Sequence, residues 1–244
     1  NGVWIGSIGD LSGELRYTDL AAEAPRIERI DALSDPEFPF EAGAIRYAVN
    51  PDGRIMVRIP CHPDEKLYGY GLQLDKVSQT SRVLTLNVDH WGRGGGRTHA
   101  PVPFYLSSKG YGVFFNTARF LKVYNQISNR KDATLRPPEV DRNPPQDEVA
   151  SQPGPWQANP MGDSVEASIQ GKGLEVILFA GDSMLEVVQR YNLYSGGGAL
   201  PPLWGLGFWH RAHAKHTAEQ VEAEVAEYKE HAIPLDVVGL EPGW

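Results

Sequence analysis

Trp204-Gly205-Leu206-Gly207-Phe208-Trp209, then Thr217-Ala218-Glu219-Gln220-Val221, then Leu235-Asp236-Val237-Val238-Gly239-Leu240 read in that order as strand, helix and strand. The first is a short apolar run of the kind a buried strand uses. In the second, Thr217 and Gln220 stand three apart as a capping box, and Val221, Val225 and Tyr228 follow at helical spacing. Ile233-Pro234 stops that helix, and the third stretch is rich in β-branched residues. Two strands joined through a helix lie parallel by a right-handed crossover. The chain from Gly196 onward is therefore expected to begin a parallel α/β domain. Residues 196–244 fall far short of the about 250 that a β/α barrel takes. If a barrel starts here, most of it is expected beyond Trp244, and Asn1 and Trp244 both read as cut ends.

Towards the N-terminus the period changes. Asp182 or Ser183 is expected to cap a helix with Leu185, Val188 and Tyr191 on one face, ended by Gly196-Gly197-Gly198. Before it the chain reads as antiparallel β. Ile45, Tyr47 and Val49 alternate with polar or small neighbours, Asn50-Pro51-Asp52-Gly53 supplies a turn, and Ile55, Val57 and Ile59 resume the alternation. A second hairpin is expected from Val102, Phe104 and Leu106 to Tyr111, Val113 and Phe115 across a turn at 107–110. A third is expected from Val165, Ala167 and Ile169 across Gly171-Lys172-Gly173 to Val176-Ile177-Leu178-Phe179. Several half-apolar hairpins bury their faces most simply against one another, which gives an antiparallel β-sandwich. The expected division is 1–195 for the sandwich with its linking helix and 196–244 for the start of the barrel. Between Asn129 and Pro160 periodicity fails and prolines accumulate, so that segment reads as a long ordered loop or a flexible insertion.

Composition narrows the function. The 244 residues are 41% hydrophobic and 22% charged, ordinary globular values that argue against wholesale disorder. The net charge of −8 argues against a nucleic-acid partner, whose phosphates need a basic surface. No apolar run approaches the roughly 18 residues of a membrane helix, so no membrane partner is expected. Cys61 is the single cysteine, which excludes an internal disulfide framework and leaves the compartment undecided.

Five stretches, in order, resemble glycoside hydrolase family 31, the α-glucosidase family of retaining glycosidases. They are Leu67-Tyr68-Gly69-Tyr70-Gly71; His99-Ala100-Pro101-Val102-Pro103-Phe104-Tyr105 with Tyr111-Gly112-Val113-Phe114-Phe115-Asn116; Gly181-Asp182-Ser183 through Tyr191; Pro201-Pro202-Leu203-Trp204-Gly205-Leu206-Gly207; and Ile233-Pro234-Leu235-Asp236-Val237-Val238. Each alone is a weak signal, and five in one order are a specific one. The resemblance implies a galactose-mutarotase-like sandwich followed by a catalytic (β/α)8 TIM barrel. It implies an α-glycoside as the carbohydrate partner and chemistry by two carboxyls about 5–5.5 Å apart, with retention of configuration. In the family both carboxyls are aspartates on later barrel strands, outside residues 1–244, so no catalytic residue is assigned here. This chain alone is expected to be inactive on aryl α-glycosides. The family's chemistry needs no metal or other cofactor, and none is expected.

The resemblance places Glu241 at the C-terminal end of the second barrel strand, the face where barrel active sites form. The family pattern carries a sugar-binding aspartate there. Glu241 in its place leaves an α-glucosidase-like reading less secure and brings forward a galactose-type or N-acetylated sugar; the plainer alternative is a solvated acid at a strand end. Asp89, in Asn87-Val88-Asp89-His90-Trp91, falls in the sandwich loop that in the family reaches the barrel mouth, or it satisfies its own turn backbone. Trp209 and Trp244 are weaker candidates for sugar stacking, set against core packing. Gly92-Arg93-Gly94-Gly95-Gly96-Arg97 lacks the ending of a phosphate loop and reads as a loop tip. His210, His213 and His216 stand three apart, but between a strand and the Thr217 cap they need not converge on a metal; they read as loop residues, with His210 or Arg211 near the sugar site.

Two functional readings stand. The first is the N-terminal portion of a retaining α-glycosidase, and the second a non-catalytic carbohydrate-binding sandwich module. Against the second, two unpartnered parallel strands would leave exposed edges without purpose. A minor third, epimerisation inside the sandwich, would need His90 or His99 beside Asp89.

Overall fold

The computed structural model describes residues 1–21, 23–74, 76–88, 98–127, 161–198 and 200–241. The chain divides into two units, Asn1–Gly197 and Gly198–Trp244.

The first unit holds two five-stranded sheets. One runs in the order β1 (Val3–Gly9), β10 (Gly173–Ala180), β7 (Tyr111–Asn116), β6 (Pro101–Ser107), β4 (Leu67–Gly71). The other runs β2 (Arg46–Val49), β3 (Arg54–Pro60), β9 (Met161–Gln170), β8 (Leu121–Ile127), β5 (Val83–Leu86). Every paired strand in both sheets is antiparallel. Ile55, Val57, Ile59, Val123, Val165 and Ala167 from one sheet and Tyr105, Val113, Phe115, Val176 and Leu178 from the other form one buried cluster. Alternate residues thus face one another across the sandwich, as the period of two requires.

The first two expected hairpins form as β2–β3 and β6–β7. The first, however, does not bury both its strands. Tyr47 and Val49 on β2 are exposed, because β2 is the edge of its sheet, while Ile55, Val57 and Ile59 on β3 are buried. The third is not a hairpin. β9 pairs with β3 and β8, whereas β10 pairs with β1 and β7, so Gly171–Gly173 carries the chain from one sheet to the other.

A second cluster lies on the opposite side of the β10–β7–β6 sheet, where Phe104, Phe114, Ile177 and Phe179 pack with Val187 and Tyr191 of helix α1 (Met184–Ser195). Phe104 stacks on Tyr191 with ring centroids 4.1 Å apart. Ser183 caps α1 by accepting a hydrogen bond from the Glu186 amide at 3.2 Å, and Gly196 ends it in the left-handed region at φ 88°. The buried face of α1 carries Val187 and Arg190, and Leu185 is exposed, contrary to the expected Leu185 face.

The second unit contains β11 (Trp209–Ala212), α2 (Ala218–Glu230) and β12 (Val237–Leu240), with β11 and β12 paired in parallel. The expected strand at 204–209 forms later. Leu203–Leu206 is a 3₁₀ turn, and His210 and Arg211 lie within β11, not after it. The Thr217–Gln220 capping box is complete in both directions. Among the described residues no helix is long and apolar enough to cross a membrane.

Candidate functional site

β11 and β12 position a charged pair at their C-terminal ends. Alternation along β11 sends Trp209 and Arg211 to one face and His210 and Ala212 to the other. The parallel register sets Arg211 opposite Gly239. Glu241, two residues beyond Gly239, stands on Arg211's side, and Arg211 Nη2 donates to Glu241 Oε2. The Arg211 side chain is 69% exposed and that of Glu241 28%. The pair therefore lies at the surface of the unit.

The opposite face is held to α2. His210 Nε2 lies 2.9 Å from Glu224 Oε2, and Tyr228 Oη lies 3.1 Å from His210 Nδ1. A carboxylate only accepts, so Nε2 donates to Glu224, and Nδ1 shares a hydrogen bond with the Tyr228 hydroxyl. His216 Nδ1 lies 2.7 Å from the other Glu224 oxygen. The hydrogen bond from His210, with the nearby His216, holds the Glu224 carboxyl below its ordinary range. His213 accepts from the Lys215 amide at 3.1 Å and packs its ring against that of His216, with centroids 5.3 Å apart. Among the described residues no group of three His, Cys, Asp or Glu side chains is arranged to hold a metal ion.

The start of β12 is pinned to the start of β11. Asp236 Oδ2 accepts from the Phe208 amide at 2.9 Å, and the Asp236 amide donates to the Phe208 carbonyl at 3.0 Å. Gly207 is required beside it, because a Cβ there would stand 2.1 Å from Asp236 Oδ2. Trp209 is 57% exposed, and its indole Nε1 donates to the Gly205 carbonyl at 3.2 Å. Its ring is therefore exposed within its own unit.

Asp89 and Trp244 lie outside the described residues, as does the 92–97 loop tip. The flanks of 89–97 are described. Thr98 is buried, and its hydroxyl donates to the Leu72 carbonyl at 2.7 Å, while the Leu72 amide donates to the Ala100 carbonyl at 3.0 Å. Leu72 follows a strained run in β4 in which Gly69, Tyr70 and Gly71 all have positive φ. Gly71 admits no side chain, since a Cβ would meet the Ala100 carbonyl oxygen at 2.0 Å. Tyr70, at φ 65°, is held there by complete burial and by its hydroxyl donating to Asn125 Oδ1 at 2.7 Å. His99 is exposed.

Sequence reasoning placed Arg211 only loosely near a sugar site and did not pair it with Glu241. The missed signal is the strand boundary: with β11 at 209–212, parallel register brings Arg211 and Glu241 to one side. The Glu224 and Tyr228 clamp on His210 was also missed, although their spacing of four on α2 marks one helix face.

A family model described as the glycosyl hydrolase 31 N-terminal galactose mutarotase-like domain matches residues 29–122. Another, the glycosyl hydrolases family 31 TIM-barrel domain, matches residues 198–244. Among curated relatives, the α-xylosidase XylQ of Lactiplantibacillus pentosus is 29% identical over 189 residues, covering 74% of this chain and 20% of that protein. An α-xylosidase of Emericella nidulans is 23% identical over 194 residues, covering 79% of this chain and 21% of that protein. Among solved structures, a family 31 dextranase from Flavobacterium johnsoniae, complexed with glucose, matches with a TM-score of 0.60 at 18% identity. That match covers 81% of this chain and 21% of the dextranase, and at this identity the likeness is one of fold. The chain spans about a fifth of the length of these relatives.

Proposed function

Because the chain belongs to glycoside hydrolase family 31, we propose that it is the N-terminal portion of a retaining α-glycosidase that hydrolyses O-glycosyl bonds of α-linked sugars. In this reading residues 198–244 open the (β/α)8 barrel, and the nucleophile and acid/base aspartates follow on later strands. The observation that carries the reading is the position of Glu241. It stands at the C-terminal end of β12 in a parallel β-α-β unit, where barrel enzymes assemble their sites, with Arg211 and Trp209 on the same side. A carboxylate there accepts hydrogen bonds from sugar hydroxyls, and an exposed indole face stacks on a pyranose ring. Asp89 and Trp244 are carried as further substrate contacts on the family resemblance alone. The α-xylosidase relatives and the glutamate in place of aspartate set the sugars to be compared: α-xylosides, α-glucosides, α-galactosides and their N-acetylated counterparts.

The experiment is hydrolysis of these aryl α-glycosides by the full-length protein, with the first-formed anomer followed by proton NMR. Turnover releasing the α-anomer first supports the reading. Release of the β-anomer first overturns retention, and absence of turnover with measurable sugar binding favours a carbohydrate-binding module instead. Residues 1–244 produced alone are expected to give no turnover, and clear turnover would overturn the placement of both carboxyls beyond this segment.

A further inference from the structure

We infer that Arg211 is the positioning residue for Glu241, turning one carboxylate oxygen away so that the other is presented to a sugar hydroxyl; this rests on the proposed glycosidase reading. Arg211 Nη2 engages Glu241 Oε2 through a single donor, not as a two-pronged fork. Glu241 Oε1 accepts no hydrogen bond among the described residues. The pair thus spends one oxygen on orientation and leaves the other without a partner among the described residues, whereas a bidentate clamp would occupy both. A glutamate at a strand end has three side-chain torsions to fix, so an unheld carboxylate would sample many directions before meeting a ligand.

Arg211 is itself well placed to hold it. It is on β11, whose direction is set on the reverse side by His210 between Glu224 and Tyr228, and whose start is tied to β12 through Phe208 and Asp236. Gly239 stands directly opposite Arg211, two residues before Glu241 on the same face. A Cβ there would find only the His210 carbonyl oxygen near it, at 3.9 Å, so the space opposite Arg211 is open. Arg211 needs no contact with the sugar for this role.

The test is a double-mutant cycle in the full-length protein, using the aryl α-glycoside that the wild type turns over. Glu241→Gln, Arg211→Met, Arg211→Lys and the Glu241→Gln/Arg211→Met pair are compared for KM and kcat. Thermal unfolding and circular dichroism show which variants keep the wild-type fold. Arg211→Met is expected to raise KM by about 10- to 100-fold, the loss attached to a hydrogen bond involving a charged group. The double variant is expected to be no worse than Glu241→Gln alone, because Arg211 acts only through Glu241. Arg211→Lys, which keeps a donor, is expected to recover part of the KM effect. A purely structural arginine would lower the unfolding temperature of Arg211→Met and leave KM unchanged in the folded enzyme, which would overturn the inference. Additive effects in the double variant would overturn it too, since they would mean that Arg211 meets the sugar directly. No turnover by the wild type overturns the proposed function and this role with it, whereas turnover with an unchanged Arg211→Met KM overturns this role alone.

Discussion

Replacing Arg190 by methionine is the sharpest test of how the first unit is held together. Arg190 is completely buried on α1, where its Nε donates to the Asn1 carbonyl at 3.1 Å and its Nη2 to the Ser34 carbonyl. Nη1 lies 3.3 Å from Glu186 Oε1, and the Glu186 carboxylate in turn accepts from the Ser34 and Asp182 amides, each at 2.9 Å. One guanidinium therefore ties the N-terminus, the segment after the 3₁₀ turn at Ile27–Ala32 and the linking helix into a single knot. Methionine keeps much of the stem volume and removes every donor. Two carbonyl oxygens then lose their partner in part-buried surroundings, at about 1–3 kcal/mol each. A central figure of about 3 kcal/mol corresponds to a fall in Tm of roughly 6–12 °C for a unit of this size. Differential scanning calorimetry of residues 1–244 reads that shift directly, and Arg190→Lys, with one ammonium for three separated partners, should fall between the two. If Arg190→Met unfolds within about 2 °C of the wild type, the knot does not stabilise the unit and the argument from buried donors is wrong.

Two further outcomes follow from the same region. The hydrogen bonds at Ser34 and Asp182 hold the Glu186 carboxyl down at about 2, against an ordinary value of 4.5. A depressed folded-state value contributes stability above pH 4.5 that is lost as pH falls from there towards about 2. Wild type should therefore lose stability across that window faster than Glu186→Gln, and equal slopes in acid-titrated urea unfolding would contradict the hydrogen-bonding account. Phe104→Ala should cost about 3–5 kcal/mol, because the ring fills the space between Phe179 and Tyr191 under α1 and little can collapse into the hole. Urea unfolding with an unchanged m-value checks it, and a loss below about 1 kcal/mol would mean that α1 packs loosely.

What the sequence carried was the local period; what it did not carry was which face each side chain meets. Asn50–Gly53 and the alternation around it define β2 and β3, and Thr217 with Gln220 defines the start of α2, because turn and cap chemistry are local. All six residues of β7 are buried, since one face meets the other sheet and the other meets α1. A strand covered on both sides loses its period-two signature, so Phe104 and Val113, read from sequence as one face, belong to different clusters. The same double burial explains the continuous run at 176–179. Pairing is less local still. A glycine-flanked turn between two apolar runs resembles a hairpin whether the next strand returns beside the first or crosses to the opposing sheet, and β9 to β10 does the latter. On α1, Arg190 interrupts the apolar pattern at a fully buried position, because the partners that make its burial tolerable are Asn1 and Ser34, far away in sequence.

In the second unit the two faces of one short strand divide the work. On the α2 side, His210 is fixed at both ring nitrogens, and Ala212 is small enough to be completely buried. On the other side Trp209 and Arg211 are exposed within the unit, with Arg211 paired to Glu241. A polar clamp sets direction more narrowly than apolar packing, since hydrogen bonds fall off with angle while dispersion contacts do not. Placing the clamp on the reverse face lets the presented face keep its charged pair at the surface without relying on that pair to hold the strand. The departure from the family pattern at Glu241 fits this division. A longer carboxylate is a liability when free, because its extra torsion widens the directions it samples. With Arg211 donating to one oxygen, the geometry of the strand ends, and not the identity of the acid alone, sets the direction of the Glu241 side chain.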